Sequence, residues 1–357
     1  MKKKIILTGG GTAGHITPIL AICEVLKRNQ QVEFLYVGGK NNLEKELARE
    51  NNLPFKGIVT GKHRNYFSFL NFIDFFKVLI GILQARFLLK KFRPNIIFAK
   101  GGYVSFPLIY CAKSLKIPLV IHESDTMMGK SNRHSVSYVS KICLGFPLKY
   151  YEDLPLEKAV YTGTPVVKAF FTISKEKNTR PTILITGGSQ GSEKLNNIIT
   201  EILPELVGKY EIYHLTGEKN ILEQKKKFSN ENYHPLGFTD KMAEIMNKAD
   251  LIISRAGANT LAEISALGKA AILVPLPSSH LNHQEINANI YEEANAAVNL
   301  SESHLTSSSL GSIINRLMED DKLRSLLGES AKQFSRKDSV NEIVDILFAN
   351  MSEANIR

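Results

Sequence analysis

The sequence predicts an α/β protein built from two doubly wound, Rossmann-like domains, and three observations predict it. Short apolar β-type runs alternate with stretches of helical periodicity along the whole chain, the pattern of parallel sheets joined by right-handed crossovers. Both halves open alike, with a buried strand that runs into glycines and then a helix: Leu7-Thr-Gly-Gly-Gly-Thr-Ala-Gly14 in the first, Ile185-Thr-Gly-Gly-Ser-Gln-Gly191 in the second. The length, 357 residues, is enough for two cores of ordinary size.

Strands are expected near 4–8, 32–37, 95–99, 118–122 and 141–144 in the first half, and near 182–186, 210–215, 250–254 and 270–275 in the second. Helical periodicity marks 17–28, 105–115, 192–207 and 282–294 among the intervening stretches. The domains divide as 1–162 and 163–357, joined near Tyr161-Thr-Gly-Thr-Pro-Val-Val-Lys-Ala169, and the last helix, about 338–350, can pack on either. Ligands then belong in the cleft that the two domains face, at the carboxyl ends of the strands.

Composition narrows the class. Hydrophobic content of 43% with 22% charged residues is that of a globular protein rather than a disordered one. The three cysteines, Cys23, Cys111 and Cys143, are far apart and form no CxxC pattern, which fits a reducing compartment better than a disulfide framework or a zinc site. The basic start Lys2-Lys-Lys-Ile-Ile-Leu7 loses its apolar run at Thr8, too soon for a signal peptide. No stretch reaches the ~18 uninterrupted apolar residues of a membrane span. Charge is uneven: residues 1–160 hold 24 Lys and Arg against 11 Asp and Glu, whereas the remainder is slightly acidic. A basic half implies a polyanionic partner, whether nucleic acid, anionic lipid or a phosphate-rich substrate.

Gly9-Gly10-Gly11-Thr12-Ala13-Gly14-His15 follows a strand and precedes a helix read as starting at Thr17-Pro18, with proline in the first turn. Glycines let the backbone approach a ligand, and a helix N-terminus favours negative charge. The glycine spacing is not a dinucleotide fingerprint, and the strand ending at Val37 is followed by Gly38, Gly39 and Lys40 rather than an acid, so NAD is disfavoured. His15, at the mouth of the turn, is a candidate general base. Residues 66–93 form the most unusual stretch: Ser68, Asn71, Asp74, Lys77, Gly81 and Gln84 make a narrow polar or small stripe on an otherwise apolar helix. Part of that apolar surface is surplus to a core, and the charges Asp74, Lys77 and Arg86 exclude a span. With Arg86, Lys90, Lys91 and Arg93 beside it, the segment suits an anionic lipid surface, with Phe69, Phe72, Phe75, Phe76 and Leu79 as contacts. The plain alternative is a helix buried on all sides.

Six motifs then stand in one order: Gly9 to His15; Gly101-Gly102-Tyr103-Val104-Ser105; His122-Glu123; Gly187-Gly188-Ser189-Gln190-Gly191; Arg255-Ala256-Gly257-Ala258-Asn259-Thr260-Leu261-Ala262-Glu263; and His283-Gln284-Glu285-Ile286-Asn287-Ala288. Together, over nearly the whole chain, they resemble the bacterial MurG family, the UDP-N-acetylglucosamine:lipid I N-acetylglucosaminyltransferases that make lipid II. The resemblance implies the GT-B fold, inversion at the sugar anomeric carbon, no cofactor and no essential metal. It implies UDP-N-acetylglucosamine and an undecaprenyl-pyrophosphate-linked acceptor as partners, with other cell-wall synthesis proteins a further class, at the cytoplasmic face of the inner membrane. No nucleic-acid motif accompanies the basic half, so nucleic acid is not expected.

Carried over residue by residue, the resemblance makes His15 the base for the attacking hydroxyl. It gives donor contacts to Thr12, Ala13 and Gly14 at the acceptor side of the cleft, and to Asp125, Ser189 and Thr239. Arg255, Ala258, Asn259, Thr260, Leu261 and Ala262 follow, with Glu263 for the ribose hydroxyls and Gln284 and Asn287 for the sugar. Tyr103, His122, Glu123 and Lys168 fall on the acceptor side. Ser189 and its neighbouring amides suit a phosphate at a helix start, although a plain cap reads the same way. Gln284 and Asn287, three apart, share one helix face, and their amides both donate and accept.

The sequence departs from the family pattern in three places. Ser124-Asp125 replaces Gln-Asn after His122-Glu123, Val167 stands where the hinge usually has arginine, and Ala13 replaces a common glycine. Lys168 and Arg255 are the charges at hand to replace the missing arginine, and Asp125 would repel a diphosphate unless it faces the acceptor or stays protonated. The Glu123–Asp125 pair makes a poor cation cage without substrate phosphates. The rival readings are another nucleotide-sugar enzyme of the same fold, such as a lipid glycosyltransferase or a UDP-sugar 2-epimerase, and, from another class, a non-catalytic scaffold that binds UDP-sugar.

Overall fold

A computed structural model of the chain describes residues 2–40, 43–61, 69–151, 154–174, 178–188, 191–277 and 279–351, without the side chains of 69–71 and 280. Two compact units result, Met1–Val167 with Asp338–Arg357, and Lys168–Lys337. In chain order the first unit runs β1 Lys3–Thr8, α1 Ala13–Leu26, β2 Val32–Gly39, α2 Leu43–Glu50, β3 Phe55–Ile58, α3 Phe69–Phe92, β4 Ile96–Ala99, α4 Phe106–Ser114, β5 Leu119–Glu123, α5 Lys130–Ser135, β6 Lys141–Leu144 and β7 Ala159–Tyr161. The second runs α6 Ala169–Thr172, β8 Thr182–Thr186, α7 Glu193–Leu206, β9 Glu211–Leu215, α8 Ile221–Lys227, β10 Tyr233–Leu236, α9 Met242–Lys248, β11 Leu251–Ser254, α10 Ala258–Leu267, β12 Ala270–Leu273, α11 His283–Glu293, β13 Val298–Asn299, α12 Ser307–Glu319 and α13 Asp321–Lys332. The chain then returns to the first unit as α14, Ser339–Ala349.

Every strand pairing in both sheets is parallel. The orders are β3-β2-β1-β4-β5-β6-β7 and β10-β9-β8-β11-β12-β13. In each, the first strand of the unit lies centrally and the order reverses beside it, between β1 and β4 and between β8 and β11. Central strands such as Ile5-Ile6-Leu7, Ile96-Ile97-Phe98 and Ile183-Leu184-Ile185 are wholly buried, as expected where helices cover both faces. The edge strands β3, β7, β10 and β13 are two to four residues long and only partly buried. Pro235 sits in β10, an edge, where a missing N–H does least harm.

Helix α1 begins at Ala13, a turn earlier than the sequence reading of Thr17-Pro18. Thr12, extended at φ −147°, is its N-cap, and Pro18 lies inside, where it forgoes one helix bond. The hydroxyl of Thr17 donates to the Ala13 carbonyl at 2.9 Å in the same turn.

Helix α3 is built inside out. Its buried positions are Asp74, Gly81, Ala85 and Leu89. A Cβ on Gly81 would overlap the Val59 carbonyl, and one on Gly61 would overlap that of Asp74, so small residues let helix and loop backbones touch. Gln84 accepts the Val59 amide at 2.8 Å, and Asp74 pairs with Lys77 at 3.0 Å. The apolar side chains lie outside: Phe72, Ile73, Phe75, Phe76, Leu79, Ile80, Leu83 and Phe87 are exposed, Phe72 at 68% and Phe87 at 72%. The alternative of a helix buried on all sides is therefore excluded within this unit. The side chain of Phe69 lies outside the described residues. Among the described residues no helix is long and apolar enough to cross a membrane.

Candidate active site

Both units carry their motifs at the carboxyl ends of the central strands, beside the point where strand order reverses, the usual place for ligands in such sheets. In the first unit the register pairs Thr8 with Ala99. Gly9–Thr12 after β1 and Lys100–Tyr103 after β4 are therefore neighbours. Gly11, at φ +91°, needs to be glycine: a Cβ there would come within 2.6 Å of the Tyr103 ring. Gly102, at φ +80°, lies against the Gly10 carbonyl. The Tyr36 hydroxyl donates to the Gly9 carbonyl at 2.9 Å, and the Gly11 amide donates to a carboxylate oxygen of Glu44.

Thr12 and His15 form a pair at this edge. The His15 amide donates to the Thr12 carbonyl at 3.1 Å, and Thr12 Oγ1 lies 2.9 Å from His15 Nδ1. With Nδ1 protonated toward the hydroxyl, Nε2 carries the lone pair that a base requires. Thr12 is exposed and Ala13, Gly14 and His15 are partly so.

Tyr103 lies at this surface, whereas His122 and Glu123 are buried beneath it. His122 places Nε2 2.9 Å from the Gly163 carbonyl. Burial, reinforced by Lys100, pushes its pKa well down, so the ring is neutral and donates from Nε2. Glu123 accepts the Gly129 amide at 2.9 Å and Asn132 Nδ2 at 3.1 Å through Oε2, and the Asp125 amide at 3.4 Å through Oε1. Its oxygens are thus turned to internal donors rather than open to a cation. These two residues shape the loop that carries partly exposed Asp125. Lys168, at the N-cap of α6, is exposed and falls in the second unit.

Two residues of this edge escaped the sequence reading. Lys100 is 2% exposed. Burial lowers its pKa, while Glu123 and Asp125 pull it the other way, and burial raises Glu123 against the opposing pull of Lys100. A lysine closing a fully buried strand immediately before two glycines was the available signal. Glu44 is wholly buried on α2, and nothing in Leu43-Glu-Lys-Glu-Leu-Ala-Arg-Glu50 distinguishes it from its solvated neighbours.

In the second unit Thr186 pairs with Ser254, which sets Gly187–Gly188 beside Arg255–Gly257. Ser189 lies outside the described residues. Gly188 has φ +81° with open space where a Cβ would stand, and Gly191, at φ +73°, packs against the Thr216 carbonyl. Gly257, the N-cap of α10, also faces open space. The first-turn amides of Ala258, Asn259 and Thr260 follow it, with no acidic residue in that turn, so the helix end is free to attract an anion.

The Arg255 guanidinium is turned inward rather than held out as an open cation. It donates to the carbonyls of Val274 and Pro275 at 3.0 and 3.2 Å and to Ser192 Oγ at 2.6 Å, and pairs with Glu302 at 2.5 Å. Leu261 is buried on α10; Ala262 and Glu263 are partly exposed, and burial pushes the Glu263 carboxyl up to about 8. On α11, Gln284 Oε1 accepts the Leu276 amide at 3.0 Å, while buried Asn287 donates to the Ala256 carbonyl at 3.1 Å. Asn287 thereby ties α11 to the turn before α10. Leu281 and Asn282, both at left-handed φ near +55°, set the entry to α11. Thr239, after β10, is partly exposed and accepts the Lys241 amide at 3.0 Å.

The glycosyltransferase family 28 N-terminal domain matches residues 5–144 and the family 28 C-terminal domain residues 182–343. A UDP-N-acetylglucosamine--N-acetylmuramyl-(pentapeptide) pyrophosphoryl-undecaprenol N-acetylglucosamine transferase from Clostridium tetani is 38% identical, covering 97% of this chain and 98% of its own. One of the same name from Clostridium perfringens is 39% identical with the same coverage. Among solved structures, MurG of Acinetobacter baumannii superposes with a TM-score of 0.76 at 25% identity, over 98% of this chain and 100% of the other. The UDP-GlcNAc 2-epimerase of Neisseria meningitidis, bound to UDP-GlcNAc, reaches 0.67 at 13% over 98% and 100%, a likeness of fold alone. With both domain models matched in order and identity sustained over nearly the full length, the chain belongs to glycosyltransferase family 28 and, within it, to the MurG family.

Proposed function

We infer that this protein transfers N-acetylglucosamine from UDP-N-acetylglucosamine to the muramyl sugar of undecaprenyl-pyrophosphoryl-MurNAc-pentapeptide, giving lipid II and UDP. The near-full-length relatives bearing that activity in their names support the reaction. The observation that carries the chemistry is the Thr12–His15 pair at the carboxyl edge of the first unit. His15 takes the proton of the acceptor hydroxyl as its oxygen bonds to the anomeric carbon. The bond from that carbon to the β-phosphate oxygen breaks, and UDP leaves with the electron pair. Attack opposite the leaving group inverts the centre.

On the donor side, the first-turn amides of α10, with the open space beside Gly188, receive the diphosphate, and Glu263 accepts from the ribose hydroxyls. The inward-turned Arg255 shapes this site and Asn287 fixes its α10 turn, while Gln284 lies nearest the sugar. The outward apolar face of α3, with Arg86, Lys90, Lys91 and Arg93 along it, rests on the anionic inner leaflet, where the lipid-linked acceptor presents its pyrophosphate. The deciding experiment is turnover with a panel of UDP-sugars against polyprenyl-pyrophosphoryl acceptors. Transfer from UDP-N-acetylglucosamine to the muramyl acceptor is expected to exceed every other pairing. Release of free N-acetylmannosamine with no acceptor added would favour an epimerase instead.

A further inference from the structure

Glycines at a strand–helix junction read as a phosphate cradle, because their amides point at whatever anion arrives. In this protein one of those amides is already taken: Gly11 donates to Glu44. Glu44 is 0% exposed. A buried carboxylate costs free energy unless donors and favourable dipoles compensate it; Oε1 of Glu44 takes the Gly11 amide, and the residue stands second in α2, beside the positive end of that helix.

The surrounding backbone is shaped to admit it. A Cβ on Gly10 would overlap the Glu44 carboxylate, and one on Gly38 would come within 2.9 Å of Glu44 Cβ. From the other side Gly102 and the Tyr103 ring close on Gly10 and Gly11. The turn is thus held between a carboxylate and an aromatic ring, and its next residue is Thr12, the partner of His15.

We propose that Glu44 is a positioning residue of the transfer reaction: by accepting the Gly11 amide it holds the Gly9–Thr12 turn in the shape that aims the Thr12–His15 pair at the acceptor. Glu44 touches no reacting atom. It acts through Gly11, one peptide from Thr12, and so through the placement of the ring that receives the proton. The proposal rests on His15 being the base. A misplacement of about 1 Å at a reacting group costs on the order of a hundredfold in rate, so a loosened turn is felt even where the fold survives.

The test compares wild type, Glu44→Ala, Glu44→Gln and His15→Ala, each full length. Steady-state kinetics use UDP-N-acetylglucosamine and undecaprenyl-pyrophosphoryl-MurNAc-pentapeptide in detergent. The His15 ring is titrated in parallel by NMR without substrate. Glu44→Ala is expected to lower kcat/KM for the acceptor by about tenfold to a hundredfold, to leave the donor KM near wild type, and to shift the His15 titration midpoint. Glu44→Gln, whose carbonyl still accepts the Gly11 amide, recovers most of that loss. Wild-type acceptor kinetics in Glu44→Ala would overturn the proposal. So would equal losses in the Ala and Gln variants that track lowered melting temperature while the His15 titration stays put. Undiminished turnover in His15→Ala would overturn the base assignment and this proposal with it, whereas slowed turnover in His15→Ala beside wild-type kinetics in Glu44→Ala would overturn the proposal alone.

Discussion

Arg255 donates to Ser192 Oγ at 2.6 Å, and Ser192 is the N-cap of α7. The same guanidinium pairs with Glu302 beyond β13 and holds two carbonyls after β12. One side chain therefore fastens the β8 and β11 loops to the far side of their sheet. Arg255→Ala leaves the nearly buried Glu302 carboxylate with the longer 3.9 Å pairing to Lys194 and takes one partner from the α7 cap. A loss of about 2–3 kcal/mol is expected, less than for a fully buried ion pair because Glu302 keeps some solvent. Urea denaturation measures it. A stability within error of wild type would mean the arginine is spare and free to serve the diphosphate.

Glu263 carries a pH dependence whose sign is fixed by burial. Its carboxyl titrates near 4.5 ordinarily and at about 8 in the folded chain. Between those values the folded form holds a proton that the unfolded form has released, so this group's contribution to stability falls as pH rises through the window. The effect is modest because the side chain is only partly buried. If Glu263 takes the ribose as proposed, the hydroxyls donate to its ionised form and binding of UDP expels the proton. UDP affinity should rise with pH toward about 8, by at most about tenfold per unit, and level off above it. Calorimetry in buffers of different ionisation enthalpy reads the proton directly. A heat of binding independent of buffer at pH 7, or unaltered UDP affinity in Glu263→Ala, would remove Glu263 from the ribose site.

Replacing His15, the proposed base, separates chemistry from binding. His15→Ala should slow turnover by roughly 10²–10⁴ and leave UDP affinity near wild type, because the donor contacts proposed above are carried mainly by residues of the second unit. Single-turnover rates with saturating donor and acceptor give the comparison. A parallel loss of UDP affinity would place His15 on the nucleotide instead.

Phe72 and Phe75 are 68% and 57% exposed on α3, so changing both to serine removes little from the fold. If this face meets lipid, each ring lost weakens association by about 1.5–3 kcal/mol, or roughly tenfold or more. Sedimentation with anionic liposomes should show that drop with UDP affinity and melting temperature preserved, and added salt should weaken binding further by screening the basic rim. Wild-type protein that ignores anionic liposomes at low salt would rule out the membrane role.

What the sequence disclosed follows from what each residue does to its neighbours. Central strands were legible because burial on both faces demands an unbroken apolar run, as in Ile183-Leu184-Ile185. The edges β3, β7, β10 and β13 were not, since a half-wet strand of a few residues carries no such run. The stripe on α3 was legible as a pattern, yet its orientation was not: Asp74 and Gly81 face inward for close backbone contact, and that depends on Val59 and Gly61, which are distant in sequence. The site shows the same division. The glycine turn and His15 announce themselves by spacing, whereas Glu44, Lys100 and the inward commitment of Arg255 depend on partners 19 residues away or more.

The return of α14 to the first unit has a consequence for how the chain acquires its structure. Ile343, Val344 and Leu347 are buried in the same core as Ile19, Ile22 and Leu26 of α1, and Ser339 donates to the Gly163 carbonyl at 3.1 Å. On a ribosome, residues 1–167 emerge long before these side chains exist, so the leading unit waits with an apolar groove open beside α1 while the whole of 168–337 is made. Three buried side chains at about 1.5–3 kcal/mol each are comparable with the entire net stability of a typical domain, about 5–15 kcal/mol. The nascent leading unit thus keeps apolar surface exposed for longer during synthesis, and the inserted unit, whose sequence is continuous, is free to complete its own core first.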